Sequence, residues 1–443
     1  MPSVMWFRRD LRLADNPALA EACADDEVLP LFVLDPALWG PAGPARRAYL
    51  AASLRALDAS LRQRGAGLSV VRGNPVSRVP LAAKAVGADR VHMAADYGPY
   101  GSRRDTAVEK ALAEQDVALV RTGSPYAVAP GRVTKDDGTP YKVFTPFSRA
   151  WAGHGWRAPI GSPTGASWLT LEDTTELPEP ALPDGLELPE AGEQAALTQW
   201  RTFLDERVAD YKTDRDKPAV DGTSRMSVHL KYGEVHPRTL LADLAGLTGI
   251  GAATYRNELA WREFYADVLW HHPESARDYL RPEFAAMEYD EPGSDLTAWQ
   301  HGRTGYPIVD AGMRQLHATG WMHNRVRMIV ASFLVKDLHV EWQHGARHFL
   351  HRLVDGDLAS NNHGWQWVAG SGTDAAPYFR VFNPLSQGRK FDPDGAYVRR
   401  WVSELADDPD PHATGARHGY PDPIVDHAEE RRESLDRWER IRR

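Results

Sequence analysis

The stretch DGDLASNNHGWQWVAGSGTDAAPYFRVFNP, residues 355–384, has the highest density of chemically versatile side chains in this sequence. Asp355 and Asp357 lie on either side of a glycine, and two asparagines and two tryptophans follow closely. Paired acids can bind a divalent cation or cleave glycosides. We favour neither, because no third and fourth oxygen ligand follows in a loop-like arrangement and the short spacing crowds both acids into one region. Arg327 can instead neutralise one acid, which indicates an ion pair beside a bound polar ring.

Helical patterns dominate the chain around this stretch. From Gln194 onward apolar residues recur at helical spacing, glycines and prolines punctuate the pattern, and β-branched alternation disappears. We therefore predict an all-α domain over residues 194–443. Its predicted helices cover residues 196–211, 237–247, 254–270, 310–319, 324–340 and 345–354. The residues after Trp401 form a polar tail that is too short for another domain.

The N-terminal part shows a different pattern, in which short β-rich runs alternate with helical ones. The β-rich runs cover residues 4–7, 28–35, 68–71, 90–96 and 117–122. A helical stripe over residues 45–64 is typical of a crossover connection. The pattern predicts an α/β domain over residues 1–125, built on a parallel five-stranded sheet with helices on both faces. Residues 126–193, where Gly and Pro are frequent and periodicity is weak, predict a long interdomain connector.

The composition is close to that of an ordinary globular protein. With 42% apolar and 26% charged residues, the 443-residue chain is neither disordered nor collagen-like. Cys23 is the single cysteine, which excludes an internal disulfide, and we expect no metal site. The net charge of −9 excludes a general attraction to polyanions, yet residues 312–352 are locally basic, as in a nucleic-acid groove. No apolar run predicts a signal peptide or a membrane span, so we expect a cytoplasmic protein.

Three further segments suit a ligand, although each also has a plain structural interpretation. DGTSRMS, residues 221–227, groups hydroxyls and an arginine, which suits a phosphate or an ordinary helix N-cap. NELAWREFY, residues 257–265, places Glu258 and Arg262 one helical turn apart, as a salt-bridged amphipathic helix also does. GWMHNRVRM, residues 320–328, sets cations beside a Trp and a Met, which suits a nucleic acid or a solvated helix face.

Together these segments resemble the photolyase and cryptochrome family. WFRRDLRLADN at residues 6–16 and TGYPIVDAGMRQL at residues 304–316 also match, and all the segments occur in family order. Within the family, the chain resembles the class I cyclobutane pyrimidine dimer DNA photolyases. The resemblance implies a carbon–carbon lyase that repairs pyrimidine dimers in DNA under blue light. Excited reduced FAD would pass an electron to a flipped-out dimer, whose cyclobutane ring then splits.

The resemblance implies a set of FAD-binding residues. Hydroxyls of the DGTSRMS segment would hold the phosphates, and the paired acids and Asn361 would surround the isoalloxazine ring. Asn361 is informative, because plant cryptochromes carry an acid at the matching position, whereas an amide can steady an anionic reduced flavin. The implied FAD-binding residues are Tyr211, Thr223, Ser224, Arg225, Met226, Ser227, Arg262, Arg327, Asp355, Asp357 and Asn361.

The resemblance also assigns residues to the lesion and to electron transfer. The lesion-binding residues are Glu258 and Asn324 for the pyrimidine edges, Trp261 and Trp367 for stacking, Met328 for van der Waals contact and Arg325 for a phosphate. Trp365 and Trp342 match the inner members of a tryptophan relay that reduces oxidised flavin. Tyr289 stands where the outer tryptophan is usual, so Trp299 is an alternative end of the relay. The implied catalytic set is Glu258, Asn361, Trp365, Trp342 and Tyr289.

Members of the family also use a light-harvesting antenna chromophore in the first domain. The loop DYGPYGSRRD, residues 96–105, resembles the subgroup that binds 8-hydroxy-5-deazaflavin. The folate-binding subgroup would show an Asn-Glu pair where Tyr100 and Gly101 stand, and the alternatives are methenyltetrahydrofolate or no antenna. The expected antenna contacts, chosen for their places near strand ends, are Arg9, Asp35, Asp96 and Tyr100.

Two other functions fit part of the sequence. A cryptochrome-like blue-light photoreceptor would bind FAD with little or no repair activity, but such proteins commonly carry a long C-terminal extension, whereas the tail here is short. A non-photochemical flavin oxidoreductase would need a nicotinamide or small-substrate pocket, for which no motif is evident. We expect DNA containing pyrimidine dimers as the partner, a monomer, no membrane association and no obligate protein partner.

Overall fold

The computed structural model describes residues 2–25, 27–373 and 379–442, and the chain forms two compact units. The first unit comprises Met1–Pro183, Pro189–Ala209 and Ser224–Pro273. The second unit comprises Asp184–Leu188, Asp210–Thr223 and Glu274–Arg443. Each unit is thus assembled from three separate segments of the chain.

A parallel β-sheet organises the first unit. Its strands are β1 Pro2–Phe7, β2 Glu27–Leu34, β3 Ser69–Arg72, β4 Arg90–Met93, β5 Ala118–Arg121 and β6 Ser167–Trp168. The main order is β3-β2-β1-β4-β5, and all these pairs are parallel. β1 and β2 are apolar and buried almost throughout, which is typical of central strands in a parallel sheet. The five predicted strands are therefore confirmed.

The sequence did not predict β6. It lies in the segment interpreted as an irregular connector, and it pairs in parallel with β2 in the register Glu27↔Ser167 and Val28↔Trp168. A strand of two residues is too short to show an alternating pattern, so only the tertiary pairing reveals it.

Helices account for most of the remaining regular structure in the described residues. They are α1 Pro17–Ala22, α2 Pro36–Trp39, α3 Pro44–Arg62, α4 Pro75–Val86, α5 Pro99–Ala113, α6 Phe144–His154, α7 Glu193–Glu206, α8 Tyr211–Asp214, α9 Ser227–Tyr232, α10 Pro237–Ala245, α11 Ile250–His271, α12 Ser294–Gln300, α13 Pro307–Thr319, α14 Asn324–Lys336, α15 Trp342–Arg352, α16 Leu358–Ala369, α17 Pro384–Phe391, α18 Ala396–Trp401 and α19 His427–Arg442. Short 3-10 helices cover Pro273–Ala276, Pro282–Ala286 and Ser403–Leu405. The predicted helices are present with shifted ends. α14 ends at Lys336, and it cannot extend to residue 340 because the backbone at His339 takes a positive φ of 50°.

The second unit has a helical core of its own. α13 packs against α14 and α18, and α16 packs against α14 and α15. The core formed by these helices encloses Trp299, Trp342 and Trp365. In the described part of the chain, no helix is both long and apolar enough to cross a membrane.

The polar tail contributes to this second unit. Its helix α19, which the sequence pattern did not predict, is anchored by an ion pair of 2.8 Å between Arg437 and Asp290. Ahead of α19, the Tyr420 hydroxyl donates a hydrogen bond of 2.5 Å to the buried carboxylate of Asp310. The tail is therefore folded against the helical core, although its composition is polar.

Candidate functional site

Within the second unit, Arg327 forms an ion pair with Asp355, as the sequence predicts. Nη2 of Arg327 donates to both carboxylate oxygens of Asp355, at 2.8 and 3.1 Å, and Nε donates to the carbonyl oxygen of Met322 at 2.8 Å. The Asp355 side chain is only 2% exposed, whereas that of Arg327 is 25% exposed. A carboxylate this deeply buried needs a charged partner, so the pair ties the loop ahead of α16 to α14.

Asp357 and Asn361 lie at the start of α16. Oδ1 of Asp357 accepts the backbone N–H of Ser360 at 3.1 Å, so this carboxylate caps the helix. Nδ2 of Asn361 donates to the carbonyl oxygen of Ala346 at 3.1 Å and to Oδ1 of Asn362 at 2.8 Å. Among the described residues, none donates a hydrogen bond to Oδ1 of Asn361. Asn361 therefore offers a ligand a hydrogen-bond acceptor and not a donor.

The part of the hydroxyl-rich turn that lies in the first unit, from Ser224 onward, is firmly braced. Arg225 has a positive φ of 52°, a conformation that costs free energy for a residue other than glycine. Oγ of Ser224 accepts the backbone N–H of Met226 at 3.3 Å and shares a hydrogen bond of 2.7 Å with the Tyr255 hydroxyl. α9 then begins at Ser227, which is exposed. These bonds hold the turn in one shape and leave Ser227 accessible to a ligand.

A chain of hydrogen bonds that runs through the buried His229 and Glu234 supports this turn, and the sequence pattern does not predict it. Nε2 of Gln199 donates to the carbonyl oxygen of Ser224 at 2.6 Å, and Oε1 of Gln199 lies 3.4 Å from Nε2 of His229. Nδ1 of His229 lies 2.6 Å from Oε2 of Glu234, a carboxylate that is fully buried. The Tyr49 hydroxyl donates to the same oxygen at 2.9 Å from 185 residues away in the chain. No local sequence pattern signals a network between residues so far apart.

α11 carries the predicted site residues Glu258, Trp261 and Arg262. The ring of Trp261 stacks on that of Phe144, with 3.7 Å between the centroids and 7° between the planes. Arg262 donates to the carbonyl oxygens of Pro125 at 3.0 Å and of Leu230 at 3.3 Å. Arg262 thus links α11 to α9, and its expected contact with FAD stays a prediction.

α14 carries the predicted DNA-binding residues Asn324, Arg325 and Met328. Asn324 is exposed at the first position of the helix, and Nδ1 of His323 caps the helix by accepting the N–H of Arg325 at 3.2 Å. Burial lowers the pKa of His323 to about 4, so its ring is neutral at pH 7 and able to accept this bond. Nη2 of Arg325 lies 2.9 Å from Oδ1 of Asp216. A DNA phosphate would therefore compete with a carboxylate for Arg325.

The predicted relay residues lie in or against the core of the second unit. Trp342 and Trp365 are 0% and 3% exposed, and Tyr289 packs against the same core. The ring of Trp365 contacts Trp299, with 6.1 Å between centroids, and the ring of Trp342 contacts Tyr279, with 6.2 Å between centroids. Burial raises the pKa of Tyr289 to about 12. The ring contacts place Trp299 beside Trp365, and the order of the relay stays a prediction.

The strand ends of the first unit bring the expected antenna residues together. Tyr100 donates a hydrogen bond to Asp35, and burial together with this bond raises the pKa of Tyr100 to about 12. Nη2 of Arg104 lies 3.3 Å from Oδ2 of Asp96, and its guanidinium lies 5.7 Å from the ring centroid of Tyr100. Burial alone would raise the pKa of Asp96, but neighbouring guanidiniums, Arg9 among them, hold it below its usual value. The cluster is therefore polar, charged and largely enclosed.

Known proteins match this chain over almost its whole length. A family model described as the FAD binding domain of DNA photolyase matches residues 255–440, and one described as DNA photolyase matches residues 3–164. The chain is 43% identical to the deoxyribodipyrimidine photo-lyase of Streptomyces griseus, with 99% of both chains covered. It is 39% identical to the enzyme of that name from Escherichia coli (strain K12), again with 99% of both covered.

The chain belongs to the DNA photolyase family. Among solved structures, it is similar to a bacterial class III photolyase from Agrobacterium tumefaciens, with a TM-score of 0.94, 37% identity and coverage of 100% and 98% of the two chains. An archaeal photolyase from Sulfolobus tokodaii, crystallised with two FAD molecules, has a TM-score of 0.88, 31% identity and coverage of 99% and 100%. The predicted family is confirmed, whereas the class I assignment, the deazaflavin subgroup and the roles of single residues stay predictions.

The described residues of this family member fit FAD. The cofactor combines anionic phosphates with a flavin ring that carries N–H donors and carbonyl acceptors. The exposed hydroxyl of Ser227 suits a phosphate, and Oδ1 of Asn361 suits a ring N–H. The partly exposed guanidinium of Arg327 supplies donors beside the buried Asp355. Each unit by itself therefore holds groups that suit part of the cofactor.

Proposed function

We propose that this protein is a deoxyribodipyrimidine photo-lyase, which splits cyclobutane pyrimidine dimers in DNA under light. The observation that carries the proposal is the 43% identity to an enzyme of that name over 99% of both chains, with both photolyase family models matched. The acceptor oxygen of Asn361 favours repair over a photoreceptor that carries an acid at this position, because an amide neither donates a proton nor repels a negatively charged ring.

FAD, when bound and reduced, supplies the electron that light drives into the dimer. Hydroxyls of Thr223 and Ser227 hold its phosphates, and the hydrogen-bonded Ser224 keeps the turn in shape. Arg327 and Asp355 act as a fixed pair that orients the neighbouring polar ring. These roles require only groups that the chain already holds in place.

The lesion is bound by stacking and by hydrogen bonds. Trp261 and Trp367 are each partly exposed and offer an indole face to a base that has left the duplex. Asn324 is exposed at the start of α14 and, with Glu258, bonds the polar edges of the pyrimidines. Arg325 exchanges Asp216 for a DNA phosphate, so affinity falls as salt is added.

The test is the repair of an oligonucleotide that carries one thymine dimer. Purified protein with chemically reduced FAD is illuminated with blue light, and restored thymines are quantified by chromatography. We expect repair in the light and none in the dark. An intact dimer beside a normal flavin spectrum would overturn the assignment and favour the photoreceptor.

We further propose 8-hydroxy-5-deazaflavin as the antenna chromophore, held by Arg9, Asp35, Asp96 and Tyr100. A Cβ atom at Gly101 would lie 2.1 Å from Oδ2 of Asp96, so the Glu of the folate pattern at this position would displace that carboxylate. Protein purified natively should therefore absorb at the deazaflavin band. A folate spectrum, or flavin absorbance alone, would contradict the proposal.

Two glycines beside Asp96 provide a matched pair of variants for this antenna. Gly101→Ala should remove the antenna band and keep FAD, because the new methyl group pushes Asp96 aside. Gly98→Ala is the control, since its Cβ would lie 3.6 Å from Oδ1 of Asp96, an ordinary contact. Equal antenna content in both variants would remove Asp96 from the proposed site.

The remaining expectations stay proposals. We propose an antenna domain over residues 1–125, a connector over residues 126–193 and a domain for FAD and lesion binding over residues 194–443. We also propose that the protein acts as a cytoplasmic monomer on damaged DNA without an obligate protein partner. Sedimentation analysis of the purified protein tests the monomer.

A further inference from the structure

Phe144 and Trp261 form a close and nearly parallel ring pair within the first unit. Their centroids are 3.7 Å apart and their planes differ by 7°. Phe144 also meets Phe264 edge-on at 5.9 Å, and Trp261 meets Phe264 edge-on at 5.7 Å. Because Phe264 is fully buried, both rings of the pair pack against the core of the unit, and Phe144 lies against the indole.

The helices that carry the pair are locked to each other. The Trp151 indole N–H of α6 donates to Oε2 of Glu263 on α11 at 2.6 Å. Glu263 is 2% exposed and also accepts the backbone N–H of Val128 at 3.0 Å. The bond between Trp151 and Glu263 therefore holds α6 against α11, the two helices that carry the stacked rings.

The position of Phe144 is explained neither by helix capping nor by its edge contact with Phe264 alone. α6 begins at Phe144 without a side-chain cap, and Phe144 itself is only partly buried. Phe147, one turn later, is 1% exposed and packs on Phe264 at 5.1 Å, as a core residue does. The contact that distinguishes Phe144 from Phe147 is therefore the stack on Trp261.

We propose that Phe144 is a positioning residue for lesion binding. It holds the indole plane of Trp261 so that the opposite indole face receives an extruded base without first losing rotamer freedom. A surface that is already ordered binds more tightly, because less conformational entropy is lost on association. The inference rests on the proposed photolyase function, since it assigns Trp261 to a base of the dimer.

The test is the affinity for an oligonucleotide with one thymine dimer, measured in the dark. Phe144→Leu keeps the apolar volume but removes the flat ring, so we expect Kd to rise about 3- to 10-fold, the range of an aromatic pair. Phe144→Tyr restores the ring and should return Kd to within about 2-fold of the original value. The affinity for undamaged DNA and its salt dependence should not change, because no phosphate contact is altered. The rate of splitting in saturated complexes should also stay constant.

Two controls separate positioning from general destabilisation. Phe147→Leu alters the same helix and the same contact with Phe264, so it should lower Tm and leave Kd unchanged. In a Trp261→Ala background, Phe144→Leu should have no further effect on Kd, because its influence passes through the indole.

The outcomes distinguish this inference from the function on which it rests. If the unaltered protein binds damaged and undamaged DNA equally, the proposed function fails. If it discriminates between them but Phe144→Leu binds the dimer equally well or more tightly, the positioning role is wrong. Tighter binding would mean that the phenyl ring occupies the place of a base.

Discussion

The tryptophans of the helical core and those near the protein surface differ in burial. Trp299, Trp342 and Trp365 are between 0 and 3% exposed, inside the core of the second unit. Trp261 and Trp367 are only partly buried. Tryptophan content alone therefore does not define a function, since burial decides whether an indole can meet a base.

The charges around the two groups differ as well. The ring of Trp299 lies 5.5 Å from that of His348, and burial lowers the pKa of His348 to about 3, so this neighbour is uncharged at pH 7. The guanidinium of Arg380 lies 5.3 Å from the ring of Trp367. Oxidation leaves positive charge on an indole, which a nearby cation opposes, whereas the same cation attracts a DNA phosphate. The neutral His348 beside Trp299 suits electron transfer there, and the guanidinium of Arg380 beside Trp367 suits binding.

α16 shows how closely the two environments can approach each other. Trp365 and Trp367 are two residues apart, and at about 100° per residue their side chains leave the helix in nearly opposite directions. Trp365 fits against Gly345 of α15, where a Cβ atom would lie 2.1 Å from the indole. Helix periodicity and one glycine thus separate a buried ring from a partly exposed one.

The largest expected effect is on the buried group. Trp342→Phe should reduce light-driven reduction of oxidised flavin to background, because phenylalanine is much harder to oxidise than tryptophan. Repair by chemically reduced protein should persist. Flavin absorbance under blue light measures the first activity and dimer splitting the second.

Trp299→Phe tests whether Trp299 belongs to the same relay, because the ring of Trp299 contacts that of Trp365. Trp367→Phe is the matched control and should leave flavin reduction intact. Equal loss of reduction and repair in Trp342→Phe would contradict the relay and remove the functional distinction between the two groups.

The next largest effect is on lesion binding. Trp261→Ala and Trp367→Ala should each weaken the affinity for a dimer-containing oligonucleotide by about 1–3 kcal/mol, or roughly 5- to 150-fold, the range for base stacking on an aromatic ring. Light-driven flavin reduction should not change. Trp270→Ala serves as a control, since Trp270 is 40% exposed and has no predicted role at the lesion. A comparable loss of affinity in this control would contradict the assignment of Trp261 and Trp367 to the lesion.

A third prediction concerns the neutral histidine beside the buried group. The pKa of His348 is about 3 in the folded state, lowered mainly by burial, and about 6.5 when unfolded. As pH falls below 6.5 the unfolded state takes up the proton first. The contribution of His348 to the free energy of unfolding is therefore fully present above pH 6.5 and declines toward pH 3. We expect a loss of about 2 kcal/mol from this residue between pH 7.5 and pH 5.

Urea unfolding at the two pH values measures this loss. The free energy of unfolding of His348→Gln should be less sensitive to pH by that amount. An unchanged pH dependence in His348→Gln would show that the ring beside Trp299 is not held neutral by the fold.

The smallest expected effect concerns Arg325, whose ion pair with Asp216 a DNA phosphate can replace. Asp216→Asn removes the negative partner of Arg325. The side chains of this ion pair are 38% exposed for Asp216 and 21% exposed for Arg325. We expect DNA affinity to rise about two- to fivefold, with a steeper salt dependence, since the pair is partly solvated. Asp214→Asn removes the same charge from a pair with Lys217 and should change affinity less. Equal effects of both variants would indicate that the change in net charge alone raises the DNA affinity.

The sequence was sufficient for the family, the parallel sheet and most helices. The motifs that carry the resemblance are continuous segments in a fixed order, and strands and helices have periods that a short window reveals. The pair of Arg327 with Asp355 was also predictable, because two opposite charges accompanied a segment rich in ligand-type side chains.

The tertiary structure alone decided the finer properties of the candidate site. It showed which atom of Asn361 is left to accept a hydrogen bond, that Phe144 stacks on Trp261, and that Glu234 is buried beneath the hydroxyl-rich turn. Phe144 and Trp261 are more than a hundred residues apart, and Glu234 bonds a tyrosine 185 residues away. Such contacts depend on how distant segments pack, and neither propensity nor periodicity encodes that packing within a short stretch of chain.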